Sequence, residues 1–296
     1  MSGARWRGGA GAGRCAITAF AAFAAFAALA LAPRAAAAQH DHHGGHAHTP
    51  AGNLPPPARG RHGPEAPEAG PRSSFAAALG VLIAGYDSML FTGDYEGLVA
   101  TGRWSRGRFA AAAGLTGYRL HKNGKTIAGL GDLMLHGHAS LLHAGAVTAG
   151  AMAMVMVPTG DHEAGLGMGH VMVMPGAWVA WSPSRLALGA SAGYSRGIGD
   201  AGIHAEHGGA WPLVDPMSFS ELTLGASGTV TLARALRAGV RLDGAIPLGD
   251  GRARLTAGVR AIWTHGRFET TAELQGGLAG APFDARGLLE TAVRFD

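Results

Sequence analysis

From Phe75 to the end of the chain, apolar and polar residues alternate with a period of two. In one stretch, for example, Leu222 and Leu224 alternate with Glu221 and Thr223. A period of two places successive side chains on opposite faces of a β-strand. The alternating segments are about ten residues long, which is the length of a strand that crosses a membrane. This pattern predicts an all-β chain built from membrane-spanning strands.

About twelve such segments follow one another, and none of the later sequence offers an apolar run long enough for a helical span of about 18 residues. Their approximate bounds are 75–86, 95–104, 108–120, 129–142, 146–158, 169–182, 185–196, 218–231, 235–247, 252–264, 267–278 and 287–295. We therefore expect a transmembrane antiparallel β-barrel of about 12 strands over residues 75–296.

The chemistry of the two faces favours a membrane barrel over a soluble fold. One face is aliphatic, whereas the other carries charges of both signs, such as Arg241 and Glu273. A dry protein core accepts unpaired charges only at high cost, whereas a water-filled lumen accepts them. The competing interpretation is a secreted β-sandwich, which would need a second sheet to cover each aliphatic face.

The lengths of the connections support the same architecture. Alternate connections are tight, at 105–107, 143–145, 183–184, 233–234 and 265–266. The others are longer, at 87–94, 121–128, 159–168, 197–217 and 279–286, with 249–251 as the short exception. Short periplasmic turns and long outer loops are typical of outer-membrane barrels, and an even strand number returns both termini to the periplasm.

Aromatic residues near the predicted strand ends indicate an interfacial girdle. They are Tyr86, Phe91, Trp104, Phe109, Trp181, Tyr194, Trp263 and Phe268. The last strand ends in Phe295 and Asp296. An aromatic residue at this end resembles the assembly signal of outer-membrane barrels, although it normally stands last. The barrel-assembly machinery is therefore an expected partner.

Residues 1–38 have the form of a secretory signal peptide. Arg5, Arg7 and Arg14 precede an apolar run, and small residues precede Gln39. The alternative is a membrane anchor, for which the run is short. The single cysteine, Cys15, lies inside this segment, so no disulfide or thiolate site is expected beyond it. Without the four arginines of this segment the net charge of +4 falls to zero, and nucleic-acid binding is not expected.

Residues 39–74 form a Pro-, Gly- and His-rich segment with too few large apolar residues to build a core. We expect this periplasmic tail to be disordered. Its histidines are His40, His42, His43, His46 and His48. Imidazole nitrogens at this density are suited to copper, nickel or zinc. The alternative is a solvated tail that binds metal adventitiously.

Sulfur and imidazole side chains collect on one face of the predicted strands at 129–142, 146–158 and 169–182. They are Met134, His136, His138, Met152, Met154, Met156, His170, Met172 and Met174. Thioethers with imidazole suit soft ions such as Cu(I) or Ag(I). Hairpin geometry predicts that His136 lies beside Met152 and that Met134 lies beside Met154, with register uncertain by two residues. The alternative is that flexible Met side chains fill an irregular interior.

Two outer loops offer further candidate metal ligands. The first contains Asp161, His162, Glu163 and Met168, and the second contains His204, Glu206 and His207. Loop histidines are commonly just solvated, so these are weaker candidates. A lipase-like pair of Ser140 and His138 would point into the barrel, and no catalytic residue is predicted.

The run Gly129-Leu130-Gly131-Asp132-Leu133, followed by Val157-Pro158-Thr159-Gly160-Asp161 and a GLGMG stretch, resembles a family of Gram-negative outer-membrane proteins. That family carries the label of the MetA pathway of phenol degradation. The resemblance covers approximately residues 75–296 and implies a barrel transporter. It supplies no catalytic residues.

The sequence as a whole predicts a non-enzymatic channel or transporter component in the Gram-negative outer membrane, in contact with its lipid. The expected cargo is a small solute, with a metal ion such as copper favoured, and no cofactor is required. The alternatives are a structural or metal-sequestering membrane protein and a channel for small hydrophobic or aromatic compounds.

Overall fold

A computed structural model describes residues 73–87, 92–122, 124–199, 217–249, 253–281 and 283–295. The predicted signal peptide and residues 39–72 of the His-rich segment lie outside these ranges, as do Phe91, His204, Glu206 and His207. Ser73 and Ser74, the last residues of that segment, belong to the first strand. Among the residues so described, no helix has the length and apolarity needed to span a bilayer.

Thirteen strands form within these ranges. They are β1 (Ser73–Asp87), β2 (Thr92–Arg106), β3 (Phe109–Lys122), β4 (Lys125–Leu130), β5 (Leu133–Ala144), β6 (Val147–Val157), β7 (Val171–Trp181), β8 (Leu186–Ile198), β9 (Ser220–Ala233), β10 (Leu236–Pro247), β11 (Arg254–His265), β12 (Phe268–Ala279) and β13 (Ala285–Phe295). Each predicted segment overlaps one strand, but the predicted long connection at 121–128 was wrong in part, because β4 begins inside it at Lys125 and forms a hairpin with β3. The predicted fourth segment takes in the end of β4 and most of β5.

The strands close into an antiparallel barrel. Strand β1 pairs with β2 on one side and with β13 on the other, with Phe75 opposite both Trp104 and Phe295. Strand β3 pairs with β5 through its first half and with β4 through its second half. Twelve strands therefore form the ring, and β3 and β4 continue beyond it as a hairpin. The predicted fold class is confirmed.

The period-two pattern sorts side chains between the interior and the outer surface. On β9, Leu222 and Leu224 are 41% and 48% exposed, whereas Glu221 on the same strand is fully buried. The same division holds on β10, where Val240 is 58% exposed and Arg241 only 6%. An apolar outer surface with polar residues inside is the arrangement of a membrane β-barrel.

The ends of the barrel differ in the length of their connections. At one end the connections are tight turns, at 107–108, 145–146, 182–185, 234–235 and 266–267. At the other end, longer segments join β6 to β7 and β8 to β9. We call these the turn end and the loop end of the barrel. This asymmetry agrees with the predicted alternation of short and long connections.

Aromatic side chains point outward near the strand ends, as a girdle requires. Phe109, Trp181, Tyr194, Trp263 and Phe268 are 37–53% exposed. Among the girdle residues that the structure describes, Tyr86 is an exception, because it is 5% exposed and faces the interior beside Tyr95. The prediction for Tyr86 was therefore wrong, because nearness to a strand end does not determine the side of the sheet that a residue faces.

Candidate functional site: the thioether wall and its capping loop

Eight of the nine predicted Met and His side chains lie on the inner face of β5, β6 and β7, and the ninth, His170, directly precedes β7. We call all nine the thioether wall. Backbone register arranges them in rows. Met134 lies opposite Met156, which in turn lies opposite Met172. In the next row toward the turn end, His136, Met154 and Met174 are partners. His138 and Met152 form the third row, which ends at Gly176.

The predicted face was correct, and the predicted partners were displaced by two residues. His136 pairs with Met154 rather than Met152, and Met134 pairs with Met156 rather than Met154. A shift of two residues leaves every side chain on its original face. The observed rows therefore contain different partners from the predicted rows, but the same nine residues face the interior.

The methionines at the loop end of the wall form a single buried cluster. Seven thioether side chains pack together, each at most 7% exposed: Met134, Met154, Met156, Met168, Met172, Met174 and Met217. Five of them belong to the wall. Met168 comes from the segment between β6 and β7, and Met217 precedes β9. We call these seven residues the methionine cluster.

An imidazole group adjoins this cluster. His170 is 4% exposed, and its Nε2 lies 3.0 Å from the Sδ of Met172. Its ring also packs against Phe219, with centroids 5.6 Å apart. The backbone at Gly197 passes close by, because a Cβ there would lie 3.0 Å from His170 Cδ2. The imidazole is thus held in place by its surroundings.

The turn end of the wall has a different neighbour. His138 is 9% exposed and meets Trp178 edge-on, with ring centroids 6.1 Å apart. Trp178 donates from its indole Nε1 to the Ala151 carbonyl, at 3.3 Å. The His138 Nδ1 is buried, and it has no hydrogen-bond partner among the described residues. The wall therefore ends in an imidazole with an available nitrogen.

Residues 158–170 fold over the loop end of the barrel, and we call this segment the capping loop. Its anchor is Asp132, between β4 and β5. Asp132 Oδ1 accepts the Gly160 N–H at 2.9 Å, and Oδ2 accepts the Met168 N–H at 2.7 Å. Thr159 adds a hydroxyl that donates to the Gly131 carbonyl and accepts the Leu133 N–H, both at 2.9 Å.

These contacts give a physical meaning to the GLGDL, VPTGD and GLGMG runs. One carboxylate binds both ends of the capping loop, and the glycines allow the close approach. A Cβ at Gly167 would lie 2.5 Å from Asp132 Oδ1, and Gly169 has a φ of +73°, which L side chains rarely adopt. The three runs together build a loop anchor.

Burial raises the pKa of Asp132, and the hydrogen bonds from the Met168 and Gly160 N–H groups and the nearby His170 oppose this rise. A buried carboxyl group resists ionisation, whereas N–H donors stabilise the ionised form. Asp132 is therefore an acidic group beside the methionine cluster whose pKa is raised by burial and lowered by its hydrogen bonds.

The other predicted loop ligands have different surroundings in the structure. Asp161 Oδ1 accepts the Ala164 N–H at 3.1 Å in an exposed turn. The His162 ring lies against Gly169. Met168 turns inward to the methionine cluster. Within the described ranges, no group of three or more His, Cys, Asp or Glu side chains is arranged to hold a metal ion.

A second wall of charged residues lies across the barrel on β9–β13 and β2. Arg241 donates to Asp243, with Nε and Oδ2 2.7 Å apart, and its Nη1 lies 3.5 Å from Glu273 Oε1. Arg237 and Glu269 pair at 2.8 Å. Further pairs join Arg254 to Glu221 and Arg103 to Glu290. These charges are neutralised mainly by one another, rather than by the open water that the sequence interpretation expected.

Aromatic and aliphatic side chains fill the loop end beside β1–β3. Tyr95 lies 6.4 Å from Tyr86 and 6.0 Å from Tyr118 between ring centroids. Leu166 of the capping loop belongs to the same cluster, together with Phe283. The capping loop thus joins the aromatic cluster through Leu166 and the methionine cluster through Met168.

Comparisons with known proteins find solved barrels at low similarity. A KdgM porin is 8% identical over 75% of this chain and 99% of that chain, with a TM-score of 0.47. A KdgM porin in complex with disordered oligogalacturonate has the same coverage and identity, with a TM-score of 0.48. The translocator domain of autotransporter NalP from Neisseria meningitidis is 14% identical over 76% and 88%, with a TM-score of 0.46. Neither a protein-family model nor a curated protein matches the sequence.

Proposed function

We propose that this chain is a channel or transporter component of the Gram-negative outer membrane, and that its solute is a soft metal ion, with copper favoured. A closed barrel with an apolar outer surface supports the membrane role. The observation that carries the choice of solute is the thioether wall, in which methionine sulfur and imidazole nitrogen face the interior in successive rows. These donors favour Cu(I) and Ag(I) over hard cations.

The rows suggest how an ion would travel. Weak contacts at several successive sites let a solute enter and also leave, which conduction requires. An ion would pass from the loop end along the three rows to His138 and then toward the turn end. The capping loop would have to move for the ion to enter, because Leu166 and Met168 are both 2% exposed.

The His-rich tail completes this proposal. If the turn end faces the periplasm, His40, His42, His43, His46 and His48 lie on the exit side and would collect the ion. Calorimetry with a peptide of residues 39–62 tests this role. Cu(II) or Ni(II) should bind with a dissociation constant on the order of micromolar, because several imidazoles share one ion. Heat no greater than that of a His-free peptide would leave the tail as a spacer.

The alternatives predict different transport behaviour. A structural or metal-sequestering protein would give no conductance in a planar bilayer, whereas a channel would. A channel for small aromatic compounds, as the label of the phenol-degradation family suggests, would use the Tyr86, Tyr95 and Tyr118 cluster. Vesicle uptake of phenol and of Ag(I), measured side by side, separates these two solute classes.

We propose no enzymatic role. His138 and Ser140 face the interior, and a lipid-active enzyme would need its nucleophile on the outer wall. Phospholipase activity that disappears in Ser140→Ala would contradict this proposal.

A further inference from the structure

We infer that the loop end of the thioether wall is one closed binding site for a soft monovalent cation, Cu(I) or Ag(I), and that the capping loop supplies two of its ligands, Met168 and His170. The inference rests on the proposed function and identifies a specific site within it. Its donor groups are Met134, Met156, Met168, Met172, Met217 and His170.

Convergence of separate chain segments is the first observation. The five methionines come from β5, β6, β7, the capping loop and the segment before β9. The wall residues Met134, Met156 and Met172 form one row. Met168 and Met217 reach the same cluster from outside the barrel strands and do not belong to the period-two pattern. If these positions served only for packing, leucine could occupy any of them. All five are methionine instead.

The contact of His170 with Met172 is the second observation. An imidazole nitrogen lies 3.0 Å from a thioether sulfur in a buried setting. With metal–ligand bonds of about 2.0–2.3 Å, as for zinc, two ligand atoms of a tetrahedral site lie about 3.5 Å apart. A small side-chain rotation therefore suffices for both atoms to bind one ion.

The donor set determines which ions would bind. Neutral sulfur ligands without thiolate or carboxylate partners favour Cu(I) and Ag(I) over Zn(II) and Ni(II). Thioethers carry no proton at physiological pH, so protons do not compete with the cation for the five sulfur ligands. The carboxyl group of Asp132 adjoins the site, since its Oδ2 accepts the Met168 N–H at 2.7 Å.

This geometry couples the cation to the capping loop. Met168 is the residue whose N–H binds Asp132 and whose side chain enters the cluster, so its sulfur can bind the ion only while the loop is closed. A ligand that binds the closed form better shifts the loop toward closure, and closure raises affinity by the same factor. The bound cation would therefore hold its own entrance shut.

The test uses the full chain in detergent micelles, labelled with ¹³C at the methionine methyl groups and titrated with silver nitrate. Methyl spectra report on the sulfur ligands directly, and free silver is measured with a silver electrode because the histidine tail also takes up silver. Against free silver, we expect the methyl shifts to follow the binding curve of a single ion, with the largest shifts at the methyls of Met134, Met156, Met168, Met172 and Met217. Substitutions by Leu assign the signals.

Three single variants separate a built site from packing. Met168→Leu and Met172→Leu should each weaken Ag(I) binding by about tenfold or more. Leu82→Met, the reverse exchange at a buried position of the aromatic cluster outside the wall, is the matched control and should change affinity by less than about twofold. Circular dichroism and heat-modifiable migration in SDS gels would verify that each variant barrel is folded. Equal affinity in all folded variants, or unshifted cluster methyls, would overturn the inference.

Hydrogen exchange of residues 158–170 supplies a second readout. Silver should slow exchange there in the parent chain and not in Met168→Leu. Unchanged exchange in the parent chain would contradict the coupling. Silver that binds as expected but fails to cross vesicles would contradict the transport function and leave the site intact. Silver that crosses vesicles without responding to Met168→Leu or Met172→Leu would overturn the site alone.

Discussion

At the residue scale, the interior of this barrel contains two kinds of side chain that are rarely buried together: ion-paired charged groups and methionine thioethers with imidazole. Arg241 is 6% exposed and is bonded to Asp243 and Glu273. Across the barrel, the imidazole of His170 contacts the thioether of Met172. Burying a guanidinium group is costly, and its partners offset that cost only while all of them remain.

We expect Arg241→Met to lower the free energy of unfolding by about 3–5 kcal/mol, because Asp243 and Glu273 would keep buried charges without their partner. Arg119→Met is the control, since Arg119 and Glu96 form an exposed pair 3.7 Å apart, and such a pair contributes about 1 kcal/mol or less. Urea unfolding in lipid vesicles measures both. Equal losses would contradict the account of the charged wall.

The sequence predicts which residues face inward but not which of them are partners. Alternation identified all nine members of the thioether wall. The tight turn pairs Ala144 with Val147, and in a regular hairpin this pairing would place Met134 opposite an outward-facing residue. A bulge between Ser140 and Leu142 shifts the register by one, so that Met134 meets Met156. The extra residue at the bulge is Leu141, which is exposed like Leu142 beside it, and nothing in the sequence distinguishes the two leucines from regular strand residues.

At the scale of elements, the capping loop is the feature that the strand pattern does not reveal. The sequence shows the GLGDL, VPTGD and GLGMG runs as markers of strand starts and an outer loop. Their joint role needs a contact between Asp132 and Met168 across 36 positions of the chain. Met217 was missed for the same reason, because it lies in a long connection without periodicity. The division of the fourth segment into β4 and β5 reflects the same anchor, since Asp132 lies at the break.

Asp132→Asn should loosen the capping loop, because one carboxylate oxygen becomes an amide donor that faces either the Gly160 or the Met168 N–H. A buried N–H left without an acceptor costs about 1–3 kcal/mol, so hydrogen exchange of residues 158–170 should speed up accordingly. Asp161→Asn is the matched control, since its single bond to Ala164 is exposed. Exchange that is equally fast in both variants would contradict the anchor.

At the scale of the whole molecule, the outer surface must match the bilayer. Val240 lies near the middle of β10 and Leu232 near the turn end of β9, and they are 58% and 56% exposed. Twelve strands with outward aliphatic residues could be predicted because the pattern repeats in every segment. The packing of the interior side chains could not be predicted, because it depends on which inward-facing residues contact one another across the barrel.

We expect Val240→Lys to cost about 2–4 kcal/mol of unfolding free energy in phosphatidylcholine vesicles, since a charge near the midplane must leave water. Leu232→Lys should cost only about 0–1 kcal/mol, because the lipid interface is hydrated. The two positions are about equally exposed, so the difference between the two losses of unfolding free energy reports the depth of each residue in the membrane. The same cost at both positions would argue against a membrane-spanning barrel.

The most direct test of the central claim is Ag(I) influx into proteoliposomes. The triple variant Met152→Leu, Met154→Leu and Met172→Leu keeps the volume of the wall and removes three sulfur ligands. We predict that it loses silver influx by about tenfold or more, while conductance to potassium chloride persists at the parent level. Unchanged silver influx, with equal amounts of folded barrel in the vesicles, would contradict the claim that the thioether wall is a path for soft metal ions.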